Sequence, residues 1–409
     1  MIPEGWVQST LEEHIDIKHG FAFKSEFFAN EGEYILMTPG HFYEAGGFRD
    51  QRGNTKYYIG EIPKGYILEK DDVVLAMTEQ AVGLLGSAAY VPESNKYLHN
   101  QRLGLLKVKD SQKACIDFLY LIYNSPSIRK QIAEQGSGTK VKHTSPDKLK
   151  GIVTLIPPLP EQKKIAQILS TWDKAITTTE QLLANSQQQK KALMQQLLTG
   201  KKRLKGFSGT WQTAKLGRLT EKVGSGITPT GGSNVYASSG IPFIRSQNVL
   251  WGKLDFSDVA YINDSQHKKM SSSSVLPNDV LLNITGASIG RCCTVPEKLK
   301  TSNVNQHVCI IRPKKNLNSD YLKSFLLSHY GQKQIEQFQA GGNRQGLNFE
   351  QIKSFKIHIP EFEEQKAIVA VLSAADREIE ILQQKLGGLK QEKKALMQQL
   401  LTGKRRVQV

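Results

Sequence analysis

The sequence predicts an α+β protein: two similar mixed α/β domains joined by two long helices that pair antiparallel as a coiled coil, an internal repeat with pseudo-twofold symmetry. Three observations predict it. The stretch KKALMQQLLTGK at Lys190–Lys201 returns letter for letter at Lys393–Lys404, an offset of 203. Each copy closes a segment whose apolar residues recur at alternating steps of four and three, the seam of a coiled coil. Each of these segments follows about 155 residues of short β-prone runs, short helical runs and glycine-containing loops. Two long copies rather than many short ones mean a tandem duplication, not a solenoid.

In chain order, residues 1–157 form the first domain, 158–205 the central helix, 206–360 the second domain and 361–409 the C-terminal helix. In the domains, Val73–Met77 and Val280–Ile284 are β-prone runs after an acidic turn, and Ile152–Ile156 and Phe355–Ile359 are strands that stop at proline. Phe118–Tyr123 with Ile128–Ile132, and Tyr321–Leu327 with Ile335–Phe338, read as helices. The first seam runs Ile165, Leu169, Trp172, Ile176, Leu183, Leu193, Leu197, and the second Ile368, Leu372, Ala375, Ile379, Leu382, Leu386, Leu389, Leu396, Leu400. Lys190 and Lys393 interrupt both at the same place. Each helix starts after a proline and ends at Thr-Gly-Lys, where Gly200 or Gly403 takes the left-handed cap. From Lys163 to Leu198 such a helix is roughly 54 Å long. Gly387-Gly388 is a weak point in the second helix.

Composition narrows the partner. The 409 residues carry 54 Lys plus Arg against 38 Asp plus Glu, a net charge of +16. The excess is uneven: residues 1–157 sum to −1, 158–205 to +6, 206–360 to +9 and 361–409 to +2. A basic second domain and basic helix ends suit a polyanion such as nucleic acid. No run approaches the roughly 18 apolar residues of a membrane helix, and the N-terminus lacks a signal-peptide pattern. Four cysteines are too few and too clustered for a disulfide framework, so a cytoplasmic location is expected.

Side chains able to read duplex DNA cluster in loops. In the second domain Arg245, Ser246, Gln247 and Asn248 precede Trp251-Gly252-Lys253; Arg suits guanine O6/N7, and Asn or Gln suits adenine N6/N7. Lys268, Lys269, Arg291, Asn343 and Arg344 suit phosphate or groove contacts. In the first domain Thr38 to His41 hold the place of the Arg245 loop, and Gly136–Lys140 that of Arg344. Local charge there rests on Arg49, Arg52 and Lys56, and on Lys140, Lys142 and His143.

Catalytic patterns fail one by one. There is no phosphate-binding Gly-x4-Gly-Lys-Ser/Thr loop, no Asn/Asp-Pro-Pro-Tyr of amino-methyltransferases, and no nucleophile elbow around Ser225. Cys292, Cys293 and Cys309 with His307 read as buried strand residues rather than zinc ligands, because adjacent cysteines rarely serve one tetrahedral site. Pro146-Asp147 with Glu161-Gln162-Lys163 imitates a nuclease PD…ExK pattern. The duplication supplies the control: Glu364-Gln365-Lys366 repeats the second half, but Phe349-Glu350 stands where Pro146-Asp147 should. The remaining alternatives are a stand-alone nuclease and a coiled-coil scaffold.

Two variable domains, each followed by proline, Glu-Gln-Lys, a leucine–aspartate seam and KKALMQQLLTGK, resemble the specificity subunit of type I restriction–modification systems. Gly224-Ser225-Gly226-Ile227-Thr228-Pro229, Asn283–Gly290 and Asn305-Gln306-His307 share the likeness; the first half departs from it at Lys18–Phe23 and Thr78–Gly83. The resemblance implies a non-catalytic subunit of an adenine methyltransferase and restriction endonuclease complex. Each variable domain would be a target recognition domain for half of a bipartite DNA sequence. The helices would act as spacer and as docking surface for two methyltransferase (M) subunits, with restriction (R) subunits joining to cleave. S-adenosylmethionine, ATP and Mg²⁺ would belong to those partners, and no cofactor or metal to this chain.

Overall fold

A computed structural model describes residues 2–79, 81–138, 141–229, 235–339 and 346–409. Two compact units emerge, Met1–Thr179 with Lys385–Val409, and Glu180–Gln384. Each therefore owns one α/β domain and half of each long helix.

In the first unit Val7–Thr10 pairs antiparallel with Val153–Ile156. A four-stranded sheet runs Ile15–His19, Leu103–Val108, Val73–Ala76, Ala88–Tyr90. A five-stranded sheet runs Phe28–Ala29, Tyr57–Tyr58, Tyr34–Met37, Tyr97–His99, Ile67–Leu68, with Tyr34–Met37 and Tyr97–His99 parallel. Helices α1 (Ile116–Tyr123), α2 (Pro126–Gln135) and α3 (Pro146–Lys150) follow. The second unit repeats this. Gln212–Lys215 pairs with Lys356–Ile359, and a four-stranded sheet runs Thr220–Ser225, Val308–Pro313, Val280–Asn283, Cys292–Thr294. The mixed sheet runs Ala260–Ile262, Ile241–Ile244, Ser302–Val304, Ser274–Val275, its parallel pair being Ile241–Ile244 and Ser302–Val304. Its helices are α5 (Asp264–Lys269), α6 (Ser319–Leu327), α7 (His329–Gln337) and α8 (Phe349–Ser354). The β-prone runs and short helices read from sequence all fall within a residue or a few of these elements.

The acidic turn recurs with its chemistry. Asp71 and Asn278 have φ of 67° and 68°, and the next residue's carboxylate accepts a backbone N–H: Asp72 from Glu69 at 3.0 Å, Asp279 from Leu276 at 2.7 Å. Both sheets then bury their central strands, with Val73–Ala76 and Val280–Asn283 wholly inside.

The long helices are α4 (Leu159–Leu197, 39 residues) and α9 (Phe362–Leu401, 40 residues), each about 58–60 Å by helix rise. Gly200 and Gly403 take left-handed φ of 69° and 67° and end them as expected. Within each unit the two helices run antiparallel. In the first, Lys393 Nζ meets Asp173 at 2.5 Å and Arg406 reaches Glu161; in the second, Lys190 meets Asp376 at 2.5 Å and Arg203 reaches Glu364. The lysines that break the apolar seam are thus one half of reciprocal ion pairs, 203 residues apart in both members. Ser186 Oγ also donates to Glu378 at 3.1 Å, a polar step inside the seam. Ile165 and Leu169, with Leu400 and Leu401, enter the first unit's core, and Ile368 and Leu372, with Leu197 and Leu198, enter the second's.

The repeated Glu-Gln fastens each helix start. Gln162 accepts from Cys115 N–H at 2.8 Å and donates to the Lys113 and Pro157 carbonyls, both at 2.9 Å. Gln365 accepts from Asn318 N–H at 2.8 Å and donates to Asn316 and Pro360, both at 3.0 Å. Glu161 and Glu364 accept from the indole N–H of Trp6 and Trp211 at 3.2 and 3.1 Å, and each pairs with its arginine. A buried carboxylate needs such partners.

Candidate nucleic-acid interface

The candidate reading loops leave equivalent strands. Tyr34–Met37 runs into a single 3-10 turn at Pro39–His41, and Ile241–Ile244 into one at Ser246–Asn248. Both turns close identically: the backbone N–H of Thr38 donates to His41 Nδ1 at 3.1 Å, and that of Arg245 donates to Asn248 Oδ1 at 2.9 Å. His41 and Asn248 are accordingly buried, at 3% and 2% exposure. Burial holds the His41 imidazole down at about 4, so the ring is neutral. Asn248 also donates to the Asp255 and Asp258 carbonyls. These two side chains shape their loops, and the outward chemistry belongs to their neighbours.

In the first unit Thr38, His41 and Lys56 line one cavity of about 430 Å³ together with Gln51, Asn54 and Arg102. Arg49 is half-buried; its Nε donates to the Gly40 carbonyl at 3.0 Å and its guanidinium lies over Tyr43. Arg52 is exposed with φ of 48°, and exposed Lys56 lies over Phe28. Lys142 and His143 are exposed on another loop, tied to the sheet where Glu79 N–H meets the Lys142 carbonyl and Thr78 Oγ1 meets His143 Nδ1 at 3.3 Å. Lys140 lies outside the described residues.

In the second unit Arg245 is half-buried; its Nη2 donates to the Asp258 carbonyl at 2.9 Å and its guanidinium lies over Tyr236. Gln247 donates to the Asp258 carboxylate, so Asp258 holds both outward-facing candidates of this turn. Ser246 is half-buried, and Lys253 is exposed beside Trp251, itself 57% exposed. Lys268 and Lys269 are exposed at the end of α5. Arg291 is half-buried after a 3-10 turn at Gly286–Ser288. Asn343 and Arg344 lie outside the described residues.

One group escaped the reading of the loops. Asn100-Gln101-Arg102 joins Thr38 and Lys56 in a single cavity although 62 and 44 residues separate Asn100 from them in sequence. The signal was present: this triplet aligns with Asn305-Gln306-His307 where the flanking sequence has diverged.

The would-be zinc cysteines are buried strand residues, and burial pushes the Cys293 and Cys309 thiols up to about 12, Cys292 higher still. Among the described residues no three His, Cys, Asp or Glu side chains gather as a metal site. The nuclease-like Glu161 is held by Trp6 and Arg406, while Asp147 is exposed and pairs with Lys150. Among the described residues no helix is long and apolar enough to cross a membrane.

Two copies of one scaffold, carrying unlike side chains at like loop positions and sharing a helical pair, define a duplicated recognition protein. Residues 3–185 and 208–391 each match the family model described as type I restriction modification DNA specificity domain, and the chain belongs to that family. It is 28% identical over 343 residues to the putative type I restriction enzyme MjaX specificity subunit of Methanocaldococcus jannaschii, covering 81% of this chain and 77% of the relative. It is 26% identical over 391 residues to the type I restriction enzyme EcoBI specificity subunit of Escherichia coli, covering 90% and 78%. The fold also matches the crystal structure of the type I restriction–modification S subunit from M. genitalium, with a TM-score of 0.62, 16% identity, and 98% and 96% coverage.

Proposed function

We propose that this specificity subunit reads a bipartite duplex target, one half-site per α/β domain, and that the paired helices set the gap between half-sites. The domains would comprise residues 1–157 and 206–360, and the spacer helices 158–205 and 361–409. The observation that carries this reading is the matched pair of 3-10 turns: the backbone and its closing hydrogen bond are shared, but the other side chains differ, Thr38, Pro39 and Gly40 standing where the second turn has Arg245, Ser246 and Gln247. A shared frame with unlike side chains suits recognition of two unlike short sequences.

Thr38, Arg49, Arg52, Lys56, Lys140, Lys142 and His143 would serve the first half-site. Arg245, Ser246, Gln247, Lys253, Lys268, Lys269, Arg291, Asn343 and Arg344 would serve the second, with His41 and Asn248 shaping their loops. Half-sites on one face of the duplex lie about one helical turn, roughly 34–36 Å, apart. The expected target is therefore two half-sites of about three to five base pairs around a gap of about five to eight. A stiff helix pair holds such a distance better than a flexible linker does.

Chemistry would be left to partners. Two methyltransferase subunits would extrude and methylate an adenine in each half-site, and restriction subunits would add cleavage. S-adenosylmethionine, ATP and Mg²⁺ would be bound there. The exposed residues Gln188, Lys191 and Gln195 on α4, repeated as Gln391, Lys394 and Gln398 on α9, suit two copies of one partner.

Mapping methylated sites genome-wide, with and without this gene beside its methyltransferase gene, tests the reading. A bipartite motif should appear only with the gene. Replacing residues 206–360 with another such domain should change one half-site alone; a change in both, or in neither, would refute modular reading.

A further inference from the structure

Asn100 and Asn305 open the same turn. The Asn100 side-chain oxygen accepts the Arg102 N–H at 3.0 Å, and that of Asn305 accepts the His307 N–H at 3.2 Å. Each asparagine is buried, at 7% and 8% exposure, while Gln101 and Gln306 are exposed. An asparagine that bonds its own backbone two residues on makes a rigid turn.

A glycine braces each turn from behind. A Cβ on Gly20 would stand 1.9 Å from the Asn100 carbonyl oxygen, and one on Gly226 would stand 1.6 Å from that of Val304. Only glycine permits this approach. The Gln101 N–H donates to Phe21 at 2.9 Å, and the Gly226 N–H to Asn305 at 3.2 Å. Each turn is thus a fixed mount that projects its second and third side chains.

In the first unit, Gln101 and Arg102 are exposed and have no side-chain hydrogen bond or ion pair with any described residue. They open onto the cavity that holds Lys56; among the described residues that line it are the basic side chains of Lys56 and Arg102 and neutral His41, and no carboxylate. A cationic lining in a domain of net charge −1 calls for a ligand rich in acceptors. In the second unit, Gln306 accepts from Thr228 Oγ1, and His307 Nδ1 lies 2.6 Å from Thr285 Oγ1. Duplication separates the roles. Glutamine stands in both turns, as a shared task requires, whereas the third position differs, as unlike half-sites require.

We propose that these two turns are specificity-determining DNA contacts: Arg102 selects a guanine in the first half-site and His307 a base in the second, while Gln101 and Gln306 grip a feature common to both. Arginine's planar fork matches guanine O6 and N7 with two fixed donors, a geometry that lysine's flexible ammonium holds less well. The inference deepens the two-half-site reading and rests on it.

The test selects bound sites from a random duplex library, using the full chain assembled with its methyltransferase subunits. Wild type, Arg102→Ala, Arg102→Lys and His307→Ala are compared. With Arg102→Ala, preference for guanine at one position of the first half-site should fall roughly ten- to a hundredfold, the second half-site being untouched. Arg102→Lys should keep overall affinity within a few-fold and weaken the same preference less than Arg102→Ala does. His307→Ala should alter the second half-site alone. Unchanged base preferences in Arg102→Ala would overturn the assignment and leave the bipartite reading intact. A wild-type complex with no bipartite preference would instead sink both.

Discussion

Two buried histidines set a pH dependence at the residue scale. His41 Nδ1 accepts the Thr38 N–H at 3.1 Å, and His99 Nε2 lies 3.0 Å from the Leu103 carbonyl and donates to it. Burial, the largest influence on each, lowers both from the ordinary 6.5 to about 4. Between about 4 and 6.5 the unfolded chain binds more protons than the folded one, so stability rises with pH there. It is complete above 6.5 and is lost as pH falls toward 4. Thermal melts should be level from pH 7 to 8 and decline from about 6.5 downward, with a shallower decline in His99→Gln. An equal slope in that variant would count against the histidine. Core residues give a second expectation: Leu169→Ala, at a position with no exposed surface, should cost about 2–5 kcal/mol in urea unfolding.

At the scale of the element, the seam shows what the repeated lysines do. The Lys190 and Lys393 side chains are 26% and 21% exposed, and the Asp376 and Asp173 side chains 55% and 49%, so each pair is worth about 1 kcal/mol at most. The two pairs are reciprocal, so both are made together in one register, Lys190 against Asp376 and Lys393 against Asp173. Exchanging the charges with Lys190→Asp and Asp376→Lys should restore the melting temperature that either change alone lowers. No recovery in the double variant would show that the pair does not couple. Gly387 and Gly388 sit in α9 with nothing near their Cβ positions. Replacing each with alanine should therefore stabilise the helix by up to about 1 kcal/mol, seen as a higher melting temperature. Lower stability would reveal a neighbour that needs the space.

For the whole molecule, the spacer reading makes a metric prediction. Adding one heptad to α4 and one to α9 lengthens the pair by about 10 Å, or about three base pairs. The mapped motif should gain about three unspecified positions with both half-sites unchanged. An unchanged gap would rule out a ruler.

The sequence alone determined the duplication, the α+β class, both long helices and their glycine ends; α4 itself begins at Leu159, so that Pro160 lies inside its first turn. These are local signals: identity at one offset, apolar steps of three and four, a proline at or just before the first turn and a glycine after the last. Loop positions were legible too, because the Arg245 and Thr38 loops occupy matching places in the two copies. Only the tertiary structure decided which side chains of those loops face inward. His41 stands among the candidate readers by sequence, and the structure places its ring inside, holding the closing hydrogen bond of its turn and packed against Phe48 and Tyr97. It alone revealed that Glu161 holds Arg406, 245 residues away, and that Arg102 opens beside Lys56. Sheet pairing brings distant segments together, and no local pattern of residue types records which partners a fold will supply.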